Sequence, residues 1–335
     1  MHPSTPTRSD PPPPAWKAWL PSGPVLGLLS LLLLFILVLQ RMGKLPQFAS
    51  FSNIQGILQA NSVTAAAALG VLLVVLSGGI DLSVGSVIAL TAAVAIQTFR
   101  ATDSSALTVL AALAAAVACG VANGLMVTLL KLPPFVATLG MVSVARGAAI
   151  WLLGRTAVSF PYDRERPAWV EALSTRDHSW LGFGLSAWSV LLLAGLVAVL
   201  LRYTVFGLHV RAIGSNEPAA RMCGVPVDRD KVWTYALSGL CVGWAGLLAF
   251  AQSNGGQPDA ALGLELDVIA AVVIGGASLA GGYGTVAGTL LGALILGVLA
   301  NGVAFCGVPV EVKHVLVGTI VVVNTALSGW GKKAS

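Results

Sequence analysis

Long apolar runs, about ten of them, follow one another from residue 24 to residue 328 with little charge between them. They fall at roughly 24–40, 61–77, 84–99, 105–130, 134–153, 186–201, 232–252, 266–281, 284–303 and 311–328. About 20 mainly apolar residues cross the hydrocarbon core of a bilayer as a helix, because a helix satisfies its backbone polar groups within itself. The pattern therefore predicts an all-α polytopic membrane protein with lipid as its surroundings. Only 10% of the residues are charged and 56% are hydrophobic, whereas a soluble domain carries about 25% charge. The 38 glycines fit helices that approach closely in lipid, where packing replaces the hydrophobic drive. Several runs are short, and the breaks near 78–83 and 275–284 read as re-entrant or discontinuous helices.

The first run, Val25 to Leu39, is followed by Gln40, Arg41 and Met42 rather than by a small-residue cleavage site, so it reads as an uncleaved span. Ahead of it, residues 1–23 with Pro11 to Pro14 read as a disordered tail, and 24–330 as one transmembrane domain. Lys and Arg favour the cytoplasmic side. The segment 202–231 carries Arg202, Arg211, Arg221, Arg229 and Lys231, which places it inside together with Lys332 and Lys333 and, by parity, both termini. Arg41, Lys44, Arg100 and Lys313 then fall outside and weaken that bias. The segment 154–185 also faces outward, with Arg155, Arg164, Arg166 and Arg176 matched by Asp163, Glu165, Glu171 and Asp177. A net charge of +5 scattered between apolar runs does not suggest nucleic acid. The four cysteines are widely spaced and the histidines isolated, so neither a metal site nor a disulfide framework is expected.

Two segments stand out. Gly78, Gly79, Asp81 and Ser83 lie in VVLSGGIDLSVG, where the glycines weaken the helix and Asp81 or Ser83 can restart it as an N-cap. Such a break either lines a water-filled path or orders the fold with a capping acid. Gly275 and Gly276 open GGASLAGG, which shares GGxxLxxG with the first break, and each follows a run with a Val-Val pair. A parallel repeat and a chance echo in a Gly-rich chain both fit. Arg146, the other charge inside a run, calls for a partner, a carbonyl cluster or a route to the surface. In the basic segment, Asn216 reads as an N-cap with Glu217, Pro218, Ala219, Ala220 and Arg221 as a short helix that Gly224 ends. It is either a docking element for a soluble partner or a solvated loop. No HExxH, GxSxG or GxxxxGK[ST] occurs, so neither catalysis nor an own nucleotide site is expected.

Four stretches carry a family resemblance: LSGGIDLSVGSVIALTA (76–92), LKLPPFVATLGMVSVARG (130–147), FGLHVRAIGSNEPAARMCGV (206–225) and ELDVIAAVVIGGASLAGGYGTVAGTLLGALILGVLANG (265–302). The chain resembles the inner-membrane permeases of bacterial sugar ABC importers of the ribose, xylose, arabinose and galactose group. The resemblance implies a cobalamin-importer-like, type II importer fold of about ten helices in the cytoplasmic membrane. It also implies a second permease copy, a cytoplasmic ATPase carrying ATP and Mg, and a periplasmic or extracellular sugar-binding protein. In it, Glu217–Gly224 looks like the coupling helix that docks in a groove of the ATPase. A nucleoside or branched-chain amino-acid permease is the nearer alternative. An ion-coupled transporter would need intramembrane acids, of which Asp81 is the one within a motif at membrane depth.

Overall fold

The structure is a computed structural model that describes residues 23–161, 163, 165–175, 182–309, 312, 313 and 315–319. In chain order the elements are α1 (Gly23–Arg41), α2 (Leu45–Phe48), α3 (Phe51–Leu76), α4 (Val84–Thr102), α5 (Ser105–Thr128), α6 (Pro134–Leu153), β1 (Val158–Ser159), α7 (Ala168–Ser174) and α8 (Leu185–Tyr203). There follow α9 (Val205–Ser215), α10 (Glu217–Met222), α11 (Val227–Ser253), β2 (Gly255–Gly256), α12 (Leu264–Ile274) and α13 (Val286–Phe305). Among the described residues eight helices, α1, α3, α4, α5, α6, α8, α11 and α13, are long and apolar enough to span a bilayer.

The expected runs map onto these helices with shifted ends. The run at 61–77 extends back to Phe51, because Ser50 accepts a hydrogen bond from Asn53 N–H and caps a 26-residue helix there. The run at 266–281 does not form one span. It gives the 11-residue α12, too short to cross, and an irregular return to α13. The tail 1–22, Lys332, Lys333, His314 and most of 311–328 lie outside the described residues.

Burial sorts the helices into layers. α3, α4 and α11 are mostly enclosed, whereas α1 shows lipid-type side chains such as Leu29, Leu33 and Leu37. Glycines let the enclosed helices touch backbone to backbone. A Cβ on Gly120 of α5 would come 2.3 Å from Tyr235 O of α11, and one on Gly70 of α3 would come 2.8 Å from Ser238 O. A Cβ on Gly292 of α13 would come 1.9 Å from Ala271 O of α12. α9 and α10 mark a basic end of the molecule. The opposite end carries a two-residue antiparallel ribbon in which Val158 pairs with Gly256 and Ser159 with Gly255.

Sequence reading missed a re-entrant strap between β2 and α12. Gly256 lies against Ile96 and Ala92 O of α4, and Ala261 O lies against Gly85, near the start of the same helix. Residues 257–263 thus run alongside α4 without regular structure. Irregular backbone at that depth must be satisfied by protein or water. Arg146 of α6 does part of this, since its Nη1 donates to Pro258 O and Ala260 O, both at 2.8 Å. Of the three fates expected for Arg146, the carbonyl cluster is the one found.

Candidate functional site

Each glycine break begins with the same helix stop. Gly78 adopts φ +80° and Gly276 φ +89°, a region open to glycine at little cost. The next amide in each case reaches back five residues, Gly79 N–H to Val74 O at 3.0 Å and Ala277 N–H to Val272 O at 3.1 Å. These bonds close the last turns and satisfy otherwise free carbonyls. The geometric equivalence pairs Gly78 with Gly276, one residue out of step with the GGxxLxxG echo. It follows the Val pairs, Val74–Val75 and Val272–Val273, instead. In both breaks the left-handed glycine is exposed and its Gly neighbour, Gly79 or Gly275, is buried. The buried ones are packing glycines. A Cβ on Gly79 would lie 2.7 Å from Tyr235 Oη, and one on Gly275 would lie 2.4 Å from Gly288 O.

Beyond the first break the chain is held by a buried polar cluster. Asp81 Oδ1 accepts from Ser83 N–H at 2.9 Å and from the Ser83 hydroxyl at 2.6 Å. Asn123 Nδ2 of α5 donates to Ser83 Oγ at 3.0 Å. Ser83 occupies the N-cap position of α4, yet its hydroxyl makes no cap bond to the helix. It is turned to Asp81, which closes an Asx-type turn in place of the cap expected from sequence. Asp81, Ser83, Asn123 and Tyr235 are all buried. Asn123 and Tyr235 were not legible from sequence, because each sits at an ordinary position of a long apolar run. Asp81 and Ser83 are thus turned to each other inside the bundle.

The two breaks meet. Gly282 N–H donates to Leu76 O at 3.0 Å. Gly214, one residue before the last of α9, is wedged against both: a Cβ there would lie 1.9 Å from Leu76 O and 2.5 Å from Gly282 N. A Cβ on Gly281 would in turn lie 2.6 Å from Gly214 O. Three backbones therefore cross where only glycine fits, and α10 begins three residues after Gly214.

α10 itself has the predicted limits. Asn216 Oδ1 accepts from Ala219 N–H at 3.0 Å. Gly224, at φ +83°, ends the helix, with Val225 N–H bonded to Ala220 O at 3.1 Å. Its two faces differ. Ala220 is buried with Ile213 and Val227, so it packs inward and presents nothing to a partner. Pro218, Arg221, Met222, Cys223 and Gly224 are exposed. Glu217 accepts from Lys231 Nζ at 2.6 Å and from Arg221 at 3.4 Å, and Arg221 forks onto Asp228 at 2.8 and 3.1 Å. The pairing of Glu217 is thus internal. Partial burial works to raise its carboxyl, but the Lys231 bond and charge, with Arg221 behind them, outweigh this and hold it below the usual carboxylate range.

The sequence as a whole matches the family model described as "Branched-chain amino acid transport system / permease component" over residues 53–324. Among curated proteins it is 40% identical over 270 residues to "Ribose import permease protein RbsC" of Escherichia coli strain K12, covering 78% of this chain and 81% of the relative. It is 34% identical over 276 residues to "L-arabinose ABC transporter permease protein AraH" of Azospirillum brasilense, covering 82% and 79%. It is 33% identical over 290 residues to "L-arabinose transport system permease protein AraH" of Escherichia coli strain K12, covering 87% and 86%. No solved structure matches. A polytopic helical chain with this match over most of its length belongs to the branched-chain amino acid transport system permease component family.

Proposed function

We propose that this chain is the membrane permease subunit of an ABC importer for a small sugar in a bacterial cytoplasmic membrane. The names of these relatives, ribose and arabinose permeases, support a monosaccharide over a branched-chain amino acid or a nucleoside. Energy comes from a separate cytoplasmic ATPase that holds ATP and Mg, and substrate arrives on a periplasmic or extracellular binding protein. The chain binds no cofactor of its own. The basic end faces the cytoplasm, as its Lys and Arg content favours.

The observation that carries the coupling is the Gly214 crossing. A soluble partner seated on Pro218 and Met222 of α10 moves a rigid capped helix, and α9 hands that motion to both breaks at once. Packed backbones with no side chain between them transmit displacement because interiors are dense and resist compression. Coupling thus rests on Asn216, Glu217, Ala219, Ala220, Arg221 and Gly224 as the scaffold of α10, and the path is gated at Gly78, Gly79, Asp81, Ser83, Gly275 and Gly276. Two copies related by a two-fold axis present two α10 helices to two ATPase subunits, which closes the assembly.

The substrate reading is tested by isolating the permease with its binding protein and identifying what the binding protein carries. A bound monosaccharide is expected. A bound branched-chain amino acid or nucleoside would replace the sugar reading and leave the permease reading intact.

A further inference from the structure

Two openings lie along one face of α11. The first, about 340 Å³, sits beside α9 and is lined by Val205, Phe206, His209, Arg229, Asp230, Trp233 and Leu237. The second, about 250 Å³, lies further along the helix and is lined only by Leu113, Ser189, Leu192, Leu193, Leu196, Leu240 and Trp244. Trp233, Leu237, Leu240 and Trp244 are spaced by four, three and four residues, so they share one stripe of α11. From Trp233 to Trp244 that stripe is about 17 Å long.

The stripe lines both openings, the first between α9 and α11 at the basic end and the second between α8 and α11 beyond it, a furrow along α11. Along it, Trp244 Nε1 reaches across to Ser189 Oγ of α8 at 3.1 Å. The closed end is charged. Asp230 is buried and already engaged, by His209 Nδ1 at 2.6 Å and by Arg229 Nε at 3.3 Å. Arg229 is otherwise well exposed, so the rest of its guanidinium fork is open to an anion. Val205 and Trp233 of the same opening are exposed, as are Tyr203 and Leu208 at the neighbouring ends of α8 and α9, the mixture of aromatic and apolar surface found at the level of lipid headgroups.

We infer that this furrow binds one anionic phospholipid, its phosphate on Arg229 beside His209 and an acyl chain along Trp233, Leu237, Leu240 and Trp244. On the proposed orientation, an exposed arginine with open donors at the cytoplasmic mouth of an apolar furrow matches such a headgroup. A helix, about 10 Å across, does not enter a furrow that a single Trp side chain bridges, whereas an acyl chain does. The lipid would brace α9 against α11, on the side of α9 away from the Gly214 crossing.

The test is native mass spectrometry of the full chain in mild detergent, supplied with phosphatidylglycerol or phosphatidylcholine of identical acyl chains. The wild type is expected to retain phosphatidylglycerol about fivefold better, the effect of one basic residue near a headgroup. Arg229→Ala should bring it down to the phosphatidylcholine level, and Arg229→Lys should keep the preference. Leu240→Trp, which fills the furrow, should reduce retention of both lipids, and Leu196→Trp does the same from the α8 side if the first variant does not fold. Equal retention of the two lipids by the wild type would overturn the site, as would an unchanged preference in Arg229→Ala. Loss of permease pairing in Leu240→Trp with lipid retention intact would assign the furrow to a second copy instead.

Discussion

Asp81 is the residue on which sequence and structure bear most differently. The sequence marks it as an acid among apolar neighbours, and chemistry then allows either a charge for transport or a cap for the fold. The structure uses one of its oxygens as an acceptor for Ser83 N–H and Oγ. An amide oxygen can do the same. Asp81→Asn is therefore expected to keep the turn and retain ATP-driven uptake in proteoliposomes. Asp81→Leu strands the buried Ser83 amide and hydroxyl, at about 1–3 kcal/mol for each unsatisfied group, and should lower both thermal stability and uptake. An Asn variant that folds normally but no longer transports would make the carboxylate charge essential and favour ion coupling. Gly79 was legible as part of a helix break; that Tyr235 Oη and Val74 leave no room for a side chain there was not, since pattern alone does not report which helices face each other.

At the scale of elements, α10 shows how far local signals reach. Asn216 and Gly224 define its ends because capping chemistry is written within a few residues. Which side faces the protein depends on α9 and α11, and this put Ala220 inside and Met222 outside. Ala220→Trp is accordingly expected to overpack the contact with Ile213 and Val227, costing about 1–3 kcal/mol, and to show as a lower unfolding temperature. Met222→Asp should leave that temperature unchanged and weaken co-purification of the ATPase. Normal ATPase recovery with Met222→Asp would remove this face from the interface. The ion pairs around Glu217 add a pH dependence. Its carboxyl is held below the ordinary value of 4.5, so the stabilisation is fully present above that value and fades as pH falls through the lowered one. A nitroxide on exposed Cys223, with the other three cysteines replaced, should show constant mobility from about pH 8 to about pH 5 and rising mobility only in more acid solution. Mobility that already rises near neutrality would mean that Glu217 does not order α10. The strap at 257–263, by contrast, was invisible in the sequence. Its Gly, Pro and polar residues resemble an ordinary loop, and what shows that it runs within the bundle, the bonds from Arg146 and the contacts with α4, is distant in sequence.

For the molecule as a whole, apolar periodicity was enough to reveal the class, because a bilayer admits so few solutions. Eight of the long runs became spanning helices among the described residues, and two exceptions to a simple bundle, the breaks near residues 78 and 276, were marked in advance by their glycines. Their convergence at Gly214 was not marked, since nothing in a sequence says that Leu76, Gly214 and Gly281–Gly282, from three separate segments, share one crossing. Two copies of this bundle are proposed to make the working unit. Mass measurement of the complex in mild detergent should give two permease chains for two ATPase subunits, and one permease for two ATPases without a second kind of permease would exclude the symmetric pair. The central claim is that an ATPase on α10 drives a sugar through this chain. It is tested most directly by reconstituting the chain with its ATPase and binding protein in liposomes and following radiolabelled ribose or arabinose. Uptake that requires ATP and both partners, and persists when ion gradients are collapsed, is the predicted result. Uptake by the chain alone that follows an ion gradient and ignores ATP would contradict it.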